Sequence, residues 1–238
     1  MNKVIIIGAT SGIGKQLAQL YATNNWLVGV TGRRRALLDS LQKDFPDNIL
    51  TECFDVTGEE NVECMKNLIQ QLGGLDLLIY NCGYGESSTS LNWEIDKNTT
   101  RINVNGFAEI VNFAFNYFVV EGKGHIAATS SIAAIRGNSF APAYSASKAY
   151  MSNYLEGLYI KAYKLNLPVY ITDIRPGFIK TKMAKGDGQF WVAPVEKAAV
   201  QIYTGISRKK RKLYITKRWQ LVAWLLNVIP IGFYKKIG

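Results

Sequence analysis

The chain has 238 residues, 48% of them hydrophobic and 19% charged, which suits one α/β domain with a full core. A single His and three Cys without ligand spacing (Cys53, Cys64, Cys82) argue against a metal centre, and the odd, scattered thiols suit a reducing cytosol. The net charge of +10 is uneven: Arg208, Lys209, Lys210, Arg211, Lys212, Lys217, Arg218, Lys235 and Lys236 follow the last acid, Glu196, and the rest of the chain is near neutral.

Val4 to Ile7 is a continuous β-branched run, the pattern of a central parallel strand buried on both faces, and too short for a signal peptide. It runs into Gly8-Ala9-Thr10-Ser11-Gly12-Ile13-Gly14, after which Ile13, Leu17, Leu20 and Tyr21 recur at helical spacing. A glycine turn between buried strand and helix lets the backbone approach a phosphate, whose charge the free N–H groups of the helix start favour. The spacing is Gly-x3-Gly-x-Gly, not the standard Gly-x-Gly-x2-Gly, and a plain tight turn is the competing reading.

A second strand is expected over 26–31, followed by Gly32-Arg33-Arg34-Arg35. An acid at this strand end would hydrogen-bond the ribose of NAD, whereas Arg accommodates the 2′-phosphate of NADP. Gly32 stands where the acid would, and Arg33 follows; Arg34 and Arg35 read equally well as a solvated face. A third strand over 50–54 leads to Asp55-Val56, and Thr57 to Glu60 forms a capping-box pattern ahead of the stripe Val62, Met65, Leu68, Ile69 and Leu72. A fourth strand over 75–80 closes in Asn81-Cys82-Gly83. This alternation predicts a single Rossmann-like domain with a doubly wound parallel sheet, whose ligands sit beyond the carboxyl ends of the strands.

A long helix is expected over 98–119, yet Asn103, Asn105 and Gly106 are poor helix formers in its interior, which signals function or a kink. The fifth strand, 124–131, puts Ser131 at its carboxyl end. Tyr144 and Lys148, four apart at the start of the next helix (to about Leu165), share one face. A cation held near a phenol favours phenolate, so such a Tyr can exchange a proton with an alcohol or carbonyl oxygen. A sixth strand over 169–174 ends in Arg175-Pro176-Gly177-Phe178-Ile179-Lys180-Thr181.

Over about residues 1–216 the chain resembles the short-chain dehydrogenase/reductase family. Gly8-x3-Gly12-x-Gly14, Asp55-Val56, Asn81-x-Gly83, Asn103, Ser131, Tyr144-x3-Lys148 and Pro176-Gly177-x-Ile179-x-Thr181 stand in the family's order. The resemblance implies Tyr144 as acid/base, Lys148 lowering its pKa and holding the nicotinamide ribose, Ser131 orienting the substrate oxygen, and Asn103 supporting a proton-relay water. It also implies that Ile179 and Thr181 hold the carboxamide and Asp55 the adenine, with Gly8, Ser11, Gly12, Ile13, Gly14, Arg33, Val56, Asn81, Gly83 and Pro176 completing the coenzyme site. The expected coenzyme is NADP(H) rather than NAD(H), and the reaction interconverts a carbonyl and an alcohol on a small or lipid-like substrate. The alternative is a dinucleotide-binding redox sensor or interaction protein without turnover. Tyr80-Asn81-Cys82-Gly83 departs from the family's usual Asn-Asn-Ala-Gly, and the basic residue some NADP-using members carry in the first turn is absent.

Residues 182–193 form a short lid carrying Phe190 and Trp191, a further helix opens at Pro194, and Leu213 to Ile215 reads as an edge strand. The last residues, 217–238, form a basic and apolar extension broken by Gln220, Asn227 and Pro230, too short to span a bilayer. Three readings stand for it: a helix packed over the substrate mouth or in a dimer, an interfacial segment on an anionic membrane through 208–238, or nucleic-acid binding, for which no stacking platform is visible. The expected assembly is a homodimer through the 98–119 and 144–165 helices, and the expected location is cytoplasmic or peripheral at a membrane.

Overall fold

The computed structural model describes residues 1–181 and 190–236. Among these, seven parallel strands form one sheet: β1 (Lys3–Ile7), β2 (Leu27–Thr31), β3 (Ile49–Glu52), β4 (Leu77–Tyr80), β5 (Gly124–Thr129), β6 (Val169–Pro176) and β7 (Lys212–Ile215), in the order β3-β2-β1-β4-β5-β6-β7. The order reverses between β1 and β4, which opens a crevice at their carboxyl ends.

Strand pleating explains why β1 is apolar throughout. Val4 and Ile6 enter one core and Ile5 and Ile7 the other. The first core packs against α1 (Gly12–Thr23), α2 (Arg35–Asp44) and α7 (Val195–Ser207). The second packs against α3 (Asn61–Leu72), α5 (Phe107–Glu121) and α6 (Pro142–Lys164).

Three elements differ from the sequence expectation. Helix α2 was not foreseen; its buried residues are only Leu38 and Leu41, so its apolar stripe is thin. The capping box at Thr57 does not cap: α3 starts at Asn61 after Glu60 without a side-chain cap, and the Thr57 N–H and hydroxyl donate to Asp55 Oδ1 at 3.0 Å each. The expected helix over 98–119 begins earlier, as α4 (Trp93–Thr100) capped by Asn92, and is broken by a π-helical turn, Arg101–Gly106, before α5. That turn accounts for two of its poor helix formers. A Cβ on Gly106 would sit 2.4 Å from the Val56 carbonyl oxygen, and Asn103 is turned wholly into the interior.

After β7 the chain forms α8 (Trp219–Val228) and a short α9 (Ile231–Tyr234). Trp219 packs over Gly177, where any Cβ would fall 2.0 Å from the indole, and stacks on Phe190 with ring centroids 5.1 Å apart. The Phe190 and Trp191 of the expected lid therefore belong to an aromatic cluster with Phe178 and Trp219. The rest of that lid, 182–189, lies outside the described residues.

Candidate active site

The crevice is a cleft of about 880 Å³ at the carboxyl ends of β1, β4, β5 and β6. Its floor is the turn from β1 into α1. Gly8 and Ala9 N–H both donate to the Thr31 carbonyl, at 3.1 and 2.9 Å, which bends the chain sharply under β2. Gly8 has φ +85°, and a Cβ there would lie 2.9 Å from the Cys82 main chain; on Gly14 it would lie 2.1 Å from the Gly8 carbonyl oxygen. Only glycine fits either place. The turn delivers the N-terminus of α1, with Gly12 and Ile13, to the cleft, and Thr181 closes it from the other side, its methyl 3.4 Å from a Cβ built on Gly12. Free N–H groups beside a glycine cradle are what a pyrophosphate requires.

At the end of β2 the guanidinium groups divide. Arg33 reaches Asp55 Oδ2 at 3.5 Å, a largely exposed pair. Arg34, which the sequence left open as a solvated residue, instead donates to Thr10 Oγ1 at 2.6 Å and Ser11 Oγ at 2.9 Å. Gly32, just before them, packs on Thr10, whose methyl would meet a Cβ at 2.7 Å. Burial pushes the Asp55 carboxyl up, but the Thr57 hydrogen bonds and Arg33 outweigh it and hold the group below its ordinary range. Val56 is buried in the second core and Ile179 in the first, so each lines the cleft from behind. Asn81 Oδ1 accepts from Thr129 Oγ1 at 3.0 Å, tying the ends of β4 and β5. Pro176 ends β6 at the same rim.

The opposite wall is α6. Tyr144 and Lys148 lie one turn apart on it, with Lys148 Nζ 5.7 Å from the Tyr144 ring centroid. Lys148 is buried; its Nζ donates to the Thr129 carbonyl at 2.9 Å and approaches Met151 Sδ at 3.5 Å. Burial draws this ammonium down to about 8, against the partial support of Cys82 and Asp173. Burial pushes the Tyr144 phenol above its ordinary value, and a hydrogen bond with Ser131 draws it partly back. Lys148 has no part in that balance, contrary to the expected depression of the phenol by the neighbouring cation. In this geometry the ammonium is directed at Thr129, and Tyr144 is kept protonated.

Ser131 starts a turn of 3-10 helix (Ile132–Ala134) just past β5, and its Oγ accepts from Ala133 N–H at 3.1 Å. Gly83 passes over Lys148, and Gly85 lies on Tyr144, where a Cβ would be 2.2 Å from the ring. Asn103 clamps this loop in both directions: its Oδ1 accepts from Tyr84 N–H at 2.8 Å and its Nδ2 donates to the Tyr84 carbonyl at 2.7 Å and to Ser147 Oγ at 2.9 Å. It is thus a brace between the loop and α6.

Beneath the site runs a buried network that the sequence did not show. Ser130 and Ser152 donate to Asp173, Arg175 Nε pairs with Asp173 Oδ2 at 2.7 Å, and Arg175 Nη1 reaches Tyr214 at 3.4 Å. Every charged member has a partner, as burial demands. Gly85 and Ser147 were also missed, although the Gly83-Tyr84-Gly85 spacing was visible. No group of three or more His, Cys, Asp or Glu side chains able to hold a metal ion occurs among the described residues.

A family model for short chain dehydrogenases matches residues 2–190. An uncharacterized oxidoreductase of Myxococcus xanthus is 32% identical over 185 residues, covering 75% of this chain and 72% of that one. The 11-beta-hydroxysteroid dehydrogenase 1A of Arabidopsis thaliana is 28% identical over 253 residues, covering 95% and 71%. A short-chain dehydrogenase from Sphingobium yanoikuyae in complex with NADPH matches the fold with TM-score 0.82, at 18% identity over 97% of both chains. One from Burkholderia phymatum in complex with NAD matches with TM-score 0.85, at 17% identity over 94% of this chain and 92% of that one. With its glycine turn, cleft and Tyr144–Lys148 helix in that common architecture, the chain belongs to the short-chain dehydrogenase/reductase family of oxidoreductases.

Proposed function

We propose that the protein is an NADP(H)-dependent oxidoreductase that interconverts a carbonyl and an alcohol, with Tyr144 as the acid/base. The observation that carries this reading is the convergence of Tyr144, Ser131 and Lys148 on one cleft whose floor is a glycine cradle. The coenzyme, when bound, supplies or takes up the hydride. Gly8, Gly12, Gly14 and the α1 N-terminus hold its pyrophosphate, Asp55 the adenine side, and Ile179 and Thr181 the nicotinamide side.

Tyr144 donates its proton to the substrate oxygen, and Ser131 orients that oxygen through the same hydrogen-bonding hydroxyl pair. Lys148 holds the nicotinamide ribose, and Asn103 keeps the loop over Tyr144 in place.

Similar structures hold NADPH in one case and NAD in the other, so coenzyme preference rests on this chain's own residues. The end of β2 carries Arg33 and Arg34 and no carboxylate, which favours a 2′-phosphate. A homodimer through α5 and α6 is supported by the large side chains Tyr150, Tyr159, Ile160 and Tyr163 left exposed on α6.

Coenzyme titration combined with turnover of a ketone panel tests the reading. Tyr144→Phe should lower turnover by about 10²- to 10⁴-fold while NADPH binds as before. The double variant Arg33→Ala/Arg34→Ala should weaken NADPH by about 10- to 100-fold and leave NADH nearly unchanged. Retained turnover in Tyr144→Phe, or equal affinity of wild type for the two coenzymes, rejects the corresponding half of the proposal.

A further inference from the structure

Helices α8 and α9 have two unlike sides. On the inner side, Trp219 and Ala223 are buried, and Leu226 and Tyr234 line the cleft. Arg136, just past the turn that begins at Ser131, holds this side down. Its guanidinium donates to the carbonyls of Leu226 at 3.4 Å and Ile229 at 3.2 Å and lies 4.7 Å from the Tyr234 ring centroid. The Tyr234 hydroxyl donates to the Gly137 carbonyl at 2.7 Å.

The outer side is apolar and bare. Leu221, Trp224, Leu225 and Val228 recur at the spacing of one helix face, and Ile231 and Phe233 extend it beyond Pro230. Leu221 is 70% exposed, Trp224 66% and Phe233 67%. Exposed Lys217 and Arg218 precede this face, Lys235 and Lys236 follow it, and no acidic residue occurs after Glu196.

An apolar strip with cations at both ends matches an anionic lipid surface, apolar within and negatively charged at its headgroups. A second copy of the same strip would set like charges together, and an apolar protein groove gives Lys217, Lys235 and Lys236 no partner, while Arg218 lies over the Trp191 ring. No described helix is long and apolar enough to cross a membrane. At 10 residues α8 is about 15 Å long, half the hydrocarbon thickness, so it fits only in the interface plane.

The basic run Arg208–Lys212 is not part of this surface, which corrects the wider 208–238 expectation. It leads into the amino end of β7, at the opposite end of the sheet from the cleft. Glu156 on α6 pairs with Arg211 at 3.3 Å and Lys212 at 3.5 Å, and Lys209 lies over the Tyr170 ring.

We propose that the outer face of α8 and α9 docks on an anionic bilayer, and that the cleft beneath them draws its substrate from that bilayer as a carbonyl compound or alcohol with a long apolar part. The substrate clause rests on the oxidoreductase reading given above; the docking clause does not.

Co-sedimentation of the full chain with phosphatidylcholine vesicles, with and without phosphatidylglycerol, separates the possibilities. Binding to the anionic vesicles should be about tenfold or more tighter than to the neutral ones at about 0.1 M salt, and the difference should shrink at about 1 M. Leu221→Ser/Trp224→Ser/Phe233→Ser should lose binding to both vesicles at an unchanged melting temperature. Replacing Lys217, Arg218, Lys235 and Lys236 with Gln should remove the preference for anionic lipid, and Gln at 208–212 should leave it intact. Equal binding to both vesicles, no binding, or a dimer that the triple Ser variant dissolves overturns the docking. A long-chain ketone carried in vesicles should be reduced at least about tenfold more slowly by the triple variant, with a short water-soluble ketone unaffected. Docking with turnover of neither ketone upholds the docking clause and overturns the substrate clause.

Discussion

Helices α6 and α8 both wall the cleft, and they are held in opposite ways. Helix α6 buries Ser145, Ser147, Lys148 and Ser152 along with Met151, Leu155, Leu158 and Ala162, and each of those polar side chains has a partner. Helix α8 buries only Trp219 and Ala223, and the Trp219 Nε1–H has no partner. The proposed chemistry sits on the element whose buried polar side chains all have partners, because proton transfer tolerates little misplacement. The other wall, α8, is anchored by one aromatic cluster and Arg136. Substitutions should therefore act unequally on the two.

The largest loss of stability is expected at Met151, which is fully buried beneath Lys148. Met151→Ala should cost about 2–5 kcal/mol in urea unfolding, the range for a core cavity. A loss as small as that of a surface substitution would show α6 to be as loosely held as α8.

Lys148 should give the reverse result. An ammonium held at about 8 by burial, against 10.5 when free, opposes folding by about 3 kcal/mol at neutral pH. Lys148→Met should raise stability by up to about that amount, less the lost Thr129 bond, while abolishing turnover. Between pH 8 and 10.5 the unfolded chain binds the proton and the folded chain does not, so wild-type stability rises with pH and the advantage of the variant fades. A gain that persists above pH 10.5 would assign it to better packing instead.

His125 carries a similar effect on the acid side. It is buried on β5 against Thr172 at 2.8 Å, and burial, with Lys209 nearby, draws it down to about 4. The folded chain keeps it neutral while the unfolded chain protonates near 6.5. Stability from this group should therefore fall by about 3 kcal/mol as pH drops from 6.5 to 4. As the chain has a single His, its imidazole resonances follow the titration directly.

What the sequence revealed follows the same division. Strands β1 and β4 were legible because burial on both faces leaves them uniformly apolar, and Gly8, Gly12 and Gly14 because backbone crowding admits nothing larger. Asn103 and Gly106 announced themselves as misfits in a helix, though neither the π-helical turn nor the clamp on Tyr84 was readable from them. Contacts between side chains distant in sequence were hidden. Arg34 on Thr10 and Ser11, the Asp173–Arg175 pair with its serines, and Arg136 under α8 all join elements whose meeting depends on the finished fold. The +9 tail looked like one feature, and only the strand direction of β7 separates Arg208–Lys212 from the cations beside α8.

The smallest expected effect gives the sharpest test of the contrast. Leu221 and Trp224 are large and apolar, so on composition alone their removal should hurt as much as losing Met151. Their exposure says otherwise: little of either side chain leaves water on folding, and the transfer free energy at stake is correspondingly small. Leu221→Ser and Trp224→Ser should each change stability by no more than about 0.5 kcal/mol. Serine lowers helix propensity slightly, which works against the variants, so a null result is conservative. Urea unfolding of the coenzyme-free chain without lipid is the measurement, since bound lipid would itself stabilise the folded state. A loss above about 2 kcal/mol in either variant would mean that the outer face is covered in solution, as by a second copy, and the distinction between α6 and α8 would fall with it.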